Sequence, residues 1–315
     1  MFTIIKNRVI QLVVVLFILS LFTFTLMKMA PGDPVLTILN ADEMVVTEED
    51  QAELRSKLGF DQPLYVQYGK WMFNLMQFDL GKSYMSGKPV IEELLTRIPI
   101  TAELTFFAMT IMLCITVPLG VWSAKYVNKW PDQFSRILAL VGASIPNFWL
   151  GLILIYLFAF KLSILPSSGI GSYSQIILPA FTLGFTFAVV YARLLRAGLL
   201  QSLSEDYIYA ARARGVKEWR ILWLHAFRAA VLPVLTIFGL SLGSFLGGAV
   251  VVEILFSWPG LGSLAVDAIF NRDYPVIQGY VLLTGIFVVI TNLVVDLSYY
   301  VIDPRMKRKE EALGR

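Results

Sequence analysis

Windows of about 20 apolar residues recur along the chain, each long enough to cross a hydrocarbon core as a helix. They fall at Val9–Met29, Thr101–Ala124, Ile137–Phe160, Ile176–Leu195, Val231–Phe256 and Val276–Ile302. The pattern predicts an all-α polytopic membrane protein with six transmembrane helices. Lys6 and Arg8 precede the first window, as in a signal peptide, but its apolar stretch is too long for one. It is read as an uncleaved anchor. The windows divide the chain into a first helix at 1–30, an extracytoplasmic segment at 31–100, a five-helix core at 101–302 and a basic tail at 303–315.

One polar, charge-dense island, 202–233, interrupts the core. Ser202 and Glu205 have the spacing of a capping box. Glu205 and Asp206 then sit in a first turn and Arg212 and Arg214 in a last turn, the placement a helix dipole favours. Gly215 is suited to the left-handed stop that follows. The spacing predicts a short helix over Leu203–Arg214 and a second over Glu218–Ala230. The second would turn Trp219, Leu222, Trp223 and Ala226 to one face and leave Lys217, Arg220 and Arg228 elsewhere. Two readings fit: an amphipathic linker lying in the membrane interface, or a surface shown to a cytosolic partner.

Composition agrees with the windows: 57% hydrophobic, 16% charged and a mean hydropathy of +0.69. With one cysteine, Cys114, no intramolecular disulfide is available. His225 is the sole histidine. Metal clusters and intramembrane catalysis therefore find no support, and a net charge of +3 gives no reason to expect nucleic acid. The location of the charges says more. Lys6 and Arg8, then Lys125, Lys129 and Arg136, then Arg193 through Arg228, then Arg305 through Lys309 fall on alternate sides of successive windows; the opposite short loops hold Lys161 and Arg272. By the positive-inside rule both termini and the island face the cytosol, and the basic tail suits an anionic leaflet.

Several smaller features carry expectations. Thr47 and Asp50 predict a capped helix to Leu58, stopped by Gly59. Trp71, Phe73, Leu75, Met76 and Phe78 are expected against the outer ends of the spans. Gly81-Lys82-Ser83 mimics a phosphate loop, but Met76 stands where that loop needs glycine. Pro118, Pro146 and Pro179 predict kinks inside three spans, and Asn147 is expected to bond another helix. Gly239, Gly243 and Gly247 make a smooth stripe, either the packing seam of a dimer lining a pathway or internal packing. Glu253 either meets a cationic substrate group at an outer gate or bonds the backbone of the Ser257–Gly262 turn. Asn292 and Asp296 stand one turn apart, facing a neighbouring helix or the pathway.

The residues also resemble a family. Tyr207 through Gly215, with His225, Arg228, Ala229 and Pro233, look like the cytosolic "EAA" loop of bacterial ABC-importer permeases, more narrowly the peptide/nickel branch. Tyr209 replaces the glutamate that precedes the paired alanines Ala210-Ala211, and the gap from Gly215 to Pro233 is the longer one of that branch. Leu58–Tyr65, Asp79–Gly81, Gly248–Gly262 and Ile269–Gln278 are similar to it as well, so the likeness spans nearly the whole chain. It implies a type I ABC importer permease fold. Glu205, Asp206, Tyr207, Ala210, Ala211, Arg212, Ala213, Gly215, His225 and Arg228 would couple to an ATPase. Gly239, Gly243, Gly247, Glu253, Asn292 and Asp296 would lie near the pathway or gate. It further implies a homologous second permease, two ATP-binding subunits that carry ATP and Mg, an extracytoplasmic solute-binding protein and the lipid around them. This chain itself would bind no cofactor and catalyse nothing. Dipeptides, oligopeptides, glutathione-like solutes and nickel chelates all fit, as do homodimer and heterodimer. A channel would need no docking helix. A secondary transporter would show the duplicated half that this sequence lacks.

Overall fold

The computed structural model describes residues 2–39 and 47–302. The basic tail and the early acidic residues Asp42 and Glu43 lie outside the described residues. Among those described, the chain is almost entirely helical, with one isolated bridge between Lys82 and Pro89. Four helices are long and apolar enough to cross a membrane: Arg8–Met29, Val90–Lys125, Tyr173–Leu203 and Tyr274–Val295. A fifth span requires Trp130–Ser144 and Asn147–Lys161 together, and these are bent by 104°. The predicted fifth window, Val231–Phe256, overlaps the helix Phe227–Leu255 and overruns its end by one residue. The expected kink at Pro146 is thus a break: proline caps the second helix of the pair, because the residue before proline, Ile145, is held extended.

The chain divides into two compact units, 1–101 with 259–290, and 102–258 with 291–315. In the first unit, α1 (Phe2–Met29) leads through Asp33, which caps α2 (Pro34–Ile38) by accepting the Val35 N–H at 3.0 Å. Then α3 (Glu48–Leu58) begins on the expected Thr47–Asp50 capping box and stops at Gly59, φ +71°. The hydrogen bond from Thr47 holds the Asp50 carboxyl below its usual range. In α4 (Leu64–Met76), Trp71 and Leu75 are half-buried, but Phe73, Met76 and, past the helix end, Phe78 are exposed, against expectation. Gly81-Lys82-Ser83 forms no phosphate cradle: the Ser83 hydroxyl and the Tyr84 N–H both donate to the buried Asp273 carboxylate. The start of α5 (Val90–Lys125) packs Val90 and Leu94 against Leu261 and Ala268 of α12 (Leu261–Phe270) and Val276 of α13 (Tyr274–Ile302).

The second unit is built around α8 (Tyr173–Leu203). Of its most apolar stretch 61% is buried, against 17% for α1. Small residues explain this, because they let backbones approach. A Cβ on Gly184 would strike the Ala108 carbonyl oxygen of α5, and one on Gly198 would lie 3.0 Å from that of Ala230. Thr116 donates across to the Ala188 carbonyl at 3.1 Å. Asn147, opening α7 (Asn147–Leu154), accepts from Thr186 of α8 at 2.5 Å, the interhelical bond the sequence predicts. Pro179 is accommodated inside α8 without ending it.

Candidate functional site

The island folds differently in detail from the sequence expectation. No capping box forms at Ser202. Instead α8 runs on to Leu203, and the Ser202 hydroxyl pairs with the Tyr207 hydroxyl at 2.7 Å. Glu205 becomes the N-cap residue of α9 (Asp206–Ala213), extended at ψ 149° and making no side-chain capping bond. The helix is therefore eight residues, shorter than Leu203–Arg214. Its end follows the prediction. Gly215 takes φ +74°, its N–H donates to Arg212 O, and Val216 N–H donates to Ala211 O. That pairing is a Schellman stop, and it needs the left-handed φ that glycine adopts freely.

One side chain roots α9. Ile208 is fully buried among Leu195, Leu199, Ile221, Ala226 and Ala230, with Ala211 packed beside it. Everything else on α9 faces outward: Asp206, Tyr207, Tyr209, Ala210, Arg212 and Ala213 are exposed. The Arg212 guanidinium forks onto Glu218, with Nε at 2.8 Å and a second nitrogen at 3.3 Å, and this clamps the turn after α9. The hydrogen bond and charge of Arg212 hold the Glu218 carboxyl below its usual range.

The second predicted helix does not end at Ala230. A single helical turn, α10 (Glu218–Arg220), passes into a π-helical stretch, Ile221–Ala226, and then into α11 (Phe227–Leu255). The wide turn changes which residues share a face. Ile221, Ala226 and Ala230 are buried, whereas Trp219 and Trp223 are 56% and 43% exposed. The anticipated Trp219, Leu222, Trp223, Ala226 stripe is thus not the packed one. His225 and Arg228 instead flank a groove of ≈ 680 Å³ with Gln201, Glu205, Tyr207 and Leu232.

Of the expected pathway residues, Glu253 is fully buried in α11, and its main-chain carbonyl accepts the Trp258 N–H at 2.7 Å. Asn292 is half-buried in α13. The surroundings of Gly239, Gly243, Gly247 and Asp296 lie outside the described residues. Among the described residues no cluster of histidine, cysteine or carboxylates is suited to hold a metal ion.

Sequence reasoning missed Asp132, counting its partners only as cytosolic charges. It is fully buried near the start of α6 (Trp130–Ser144). Arg196 of α8 grips both carboxylate oxygens at 2.6 and 2.9 Å, Arg136 adds a bond at 2.6 Å, and the Asn128 N–H donates at 2.8 Å. The signal was a lone acid in a helix's first turn, directly after Pro131, beside arginines on two apolar helices.

A family of binding-protein-dependent transport system inner membrane components matches residues 116–308, and its N-terminal companion matches residues 1–105. The chain is 41% identical over 300 residues to the nickel import system permease protein NikB of Staphylococcus aureus, covering 95% of this chain and 90% of that one. It is 42% identical over 305 residues to the glutathione transport system permease protein GsiC of Escherichia coli O6:H1, covering 96% and 98%. In fold it is similar to a subunit of the MetNI methionine ABC transporter in an inward-facing conformation, with TM-score 0.56, 18% identity and coverage of 67% and 96%. A chain of an amino acid ABC transporter with histidines gives TM-score 0.53 at 16% identity, covering 66% and 92%.

Proposed function

The chain belongs to the inner-membrane permease components of binding-protein-dependent ABC importers, and from that premise we propose how it works. It spans the membrane six times with both termini in the cytosol and pairs with a homologous second permease. It binds neither ATP nor Mg; two ATPase subunits hold them below, and a solute-binding protein delivers cargo to the 31–100 segment. Tyr207, Ala210, Ala211, Arg212, Ala213 and Gly215, with Glu205, Asp206, His225 and Arg228 beside them, form the surface an ATPase grips. Gly239, Gly243, Gly247, Glu253, Asn292 and Asp296 lie along the route of the solute. That solute is a di- or oligopeptide, a glutathione-like molecule or a nickel chelate, in keeping with the nickel and glutathione systems of the two relatives.

The observation that carries this reading is the exposure of α9. An isolated eight-residue helix is too short to be stable in water. This one is rooted in the second unit by Ile208 and turns two tyrosines and two alanines outward. Aromatic residues next to small ones make a compact knob for a groove. When the ATPases close on ATP, a knob rooted beside α8 and α11 drags those helices with it, and the spans exchange inward- and outward-open states. In proteoliposomes holding the complete importer, Ala210→Trp is expected to cut ATP-driven uptake at least tenfold, about 1.4 kcal/mol of coupling, and to weaken co-purification of the ATPase. Membrane insertion stays normal. Uptake and co-purification at wild-type levels would remove α9 from that role.

A further inference from the structure

The first unit holds a half-open cavity of ≈ 530 Å³ that the coupling mechanism does not use. Its charge is one-sided. Lys28, Lys57, Lys70 and Lys82 line it, while the lining carboxylate among the described residues, Asp79, already accepts the Gly81 N–H at 2.8 Å. Lys28 is half-buried, and its ammonium sits 4.3 Å from the Phe60 ring centre, 5.5 Å from Tyr274 and 5.7 Å from Phe24. Ring faces offset part of the loss of water around a cation. They do not replace an anion, and among the described residues no carboxylate pairs with Lys28.

Two further donors line the same cavity. The Trp71 indole N–H is buried and has no hydrogen-bond partner among the described residues. Gln278, 6% exposed, makes no side-chain hydrogen bond among the described residues. Native proteins rarely leave a buried donor such as the Trp71 N–H unpaired, and the Gln278 carboxamide lines the same space. A cation, an indole N–H and a carboxamide around one space together lack a single thing, an acceptor carrying negative charge. The volume suits a molecule of dipeptide size.

We infer that this cavity binds the carboxylate of a peptide-sized solute, with Lys28 as the counter-charge and Trp71 and Gln278 as the hydrogen-bond donors. It is a receiving site before the spans, which rests on the reading of the 31–100 segment as the face that meets incoming cargo. The chemistry selects cargo by a free carboxyl group, not by a metal ion.

The test uses the assembled importer without its solute-binding protein, in phosphatidylcholine nanodiscs and without nucleotide. The probes are glutathione, dialanine and dialanine with its C-terminus amidated, each titrated by calorimetry. A carboxylate probe is expected to bind, and amidation to weaken dialanine about tenfold or more. Lys28→Met and Gln278→Leu each weaken the acid by a similar factor and leave the amide unchanged, while Lys28→Arg keeps most of the affinity. The inference is overturned if acid and amide bind alike, if neither acid binds, or if the variants bind like wild type. It is also overturned if phosphatidylglycerol nanodiscs abolish probe binding, since a lipid headgroup is then the occupant. ATP-driven uptake by the importer and its solute-binding protein in proteoliposomes keeps the readings apart: binding in nanodiscs without uptake in vesicles counts against the importer mechanism and leaves the site standing.

Discussion

Arg212 illustrates how little of a surface residue's role is stability. Its partner Glu218 is 69% exposed, so the pair is screened by water and holds the fold by about 0.5 kcal/mol or less. The Glu218 carboxyl is held below its ordinary value, chiefly by the Arg212 hydrogen bond. The folded state therefore binds fewer protons than the unfolded one as pH falls. This small contribution is full above the ordinary glutamate range and disappears as pH drops through the lowered value. What the pair fixes is the direction in which α9 leaves the turn at Gly215. Arg212→Glu sets two carboxylates against each other at that turn. It is expected to lower ATP-driven uptake about fivefold or more with unchanged protein in the membrane, and Glu218→Arg on top of it to restore most of the rate. If the single change leaves uptake alone, or the double change fails to recover it, the pair does not aim the helix. Arg212 itself was legible from its place in a last turn. Glu218 was not, because nothing in a linear pattern says that a turn of six residues brings the two together.

At the scale of elements, the bundle of the second unit depends on where α8 lets other backbones come close. Gly184 is the tightest of these places, since the obstacle is the Ala108 carbonyl oxygen and not the end of a flexible side chain. Gly184→Ala must push α5 away from α8, which overpacking data put at about 1–3 kcal/mol. It should lower the unfolding temperature in detergent measurably. Gly69→Ala, with nothing within 4 Å of the added carbon, should not. Equal effects would mean that the α5–α8 approach is slack. The existence of these helices was legible from apolar windows alone, and the capping of α3 from the Thr47–Asp50 spacing. Their ends were not. α8 overruns Ser202 because a hydroxyl that looks like a cap found the Tyr207 hydroxyl instead. The helix from Glu218 overruns Ala230 because a π-helical stretch lets it continue into the next span. A period of 3.6 cannot register that turn, so Trp219 and Trp223 were assigned to a packed face they do not occupy. Asp132 went unread for a related reason: its partner Arg196 lies 64 residues away and meets it only once α6 and α8 pack.

For the whole molecule, the claim with most consequences is orientation, because it assigns α9 to the motor and the lysine-lined cavity to the cargo. Charge placement supports it: a stretch rich in arginine crosses a bilayer at high cost and stays where it was made. The chain offers a simple way to check this, since its one cysteine, Cys114, is removable as Cys114→Ser. On that background Tyr65→Cys reports on the first unit from a position 78% exposed, and Arg214→Cys reports on the exposed turn after α9. In intact cells lacking the ATPase subunits, a membrane-impermeant maleimide is expected to label Tyr65→Cys. Arg214→Cys should react only after the membrane is permeabilised. The reverse pattern would place the docking helix where no ATPase can reach it, and the lysine cavity where no delivered solute arrives. Labelling of both from one side would be as damaging, because an alternating-access permease must separate the surface that is pulled from the surface that receives.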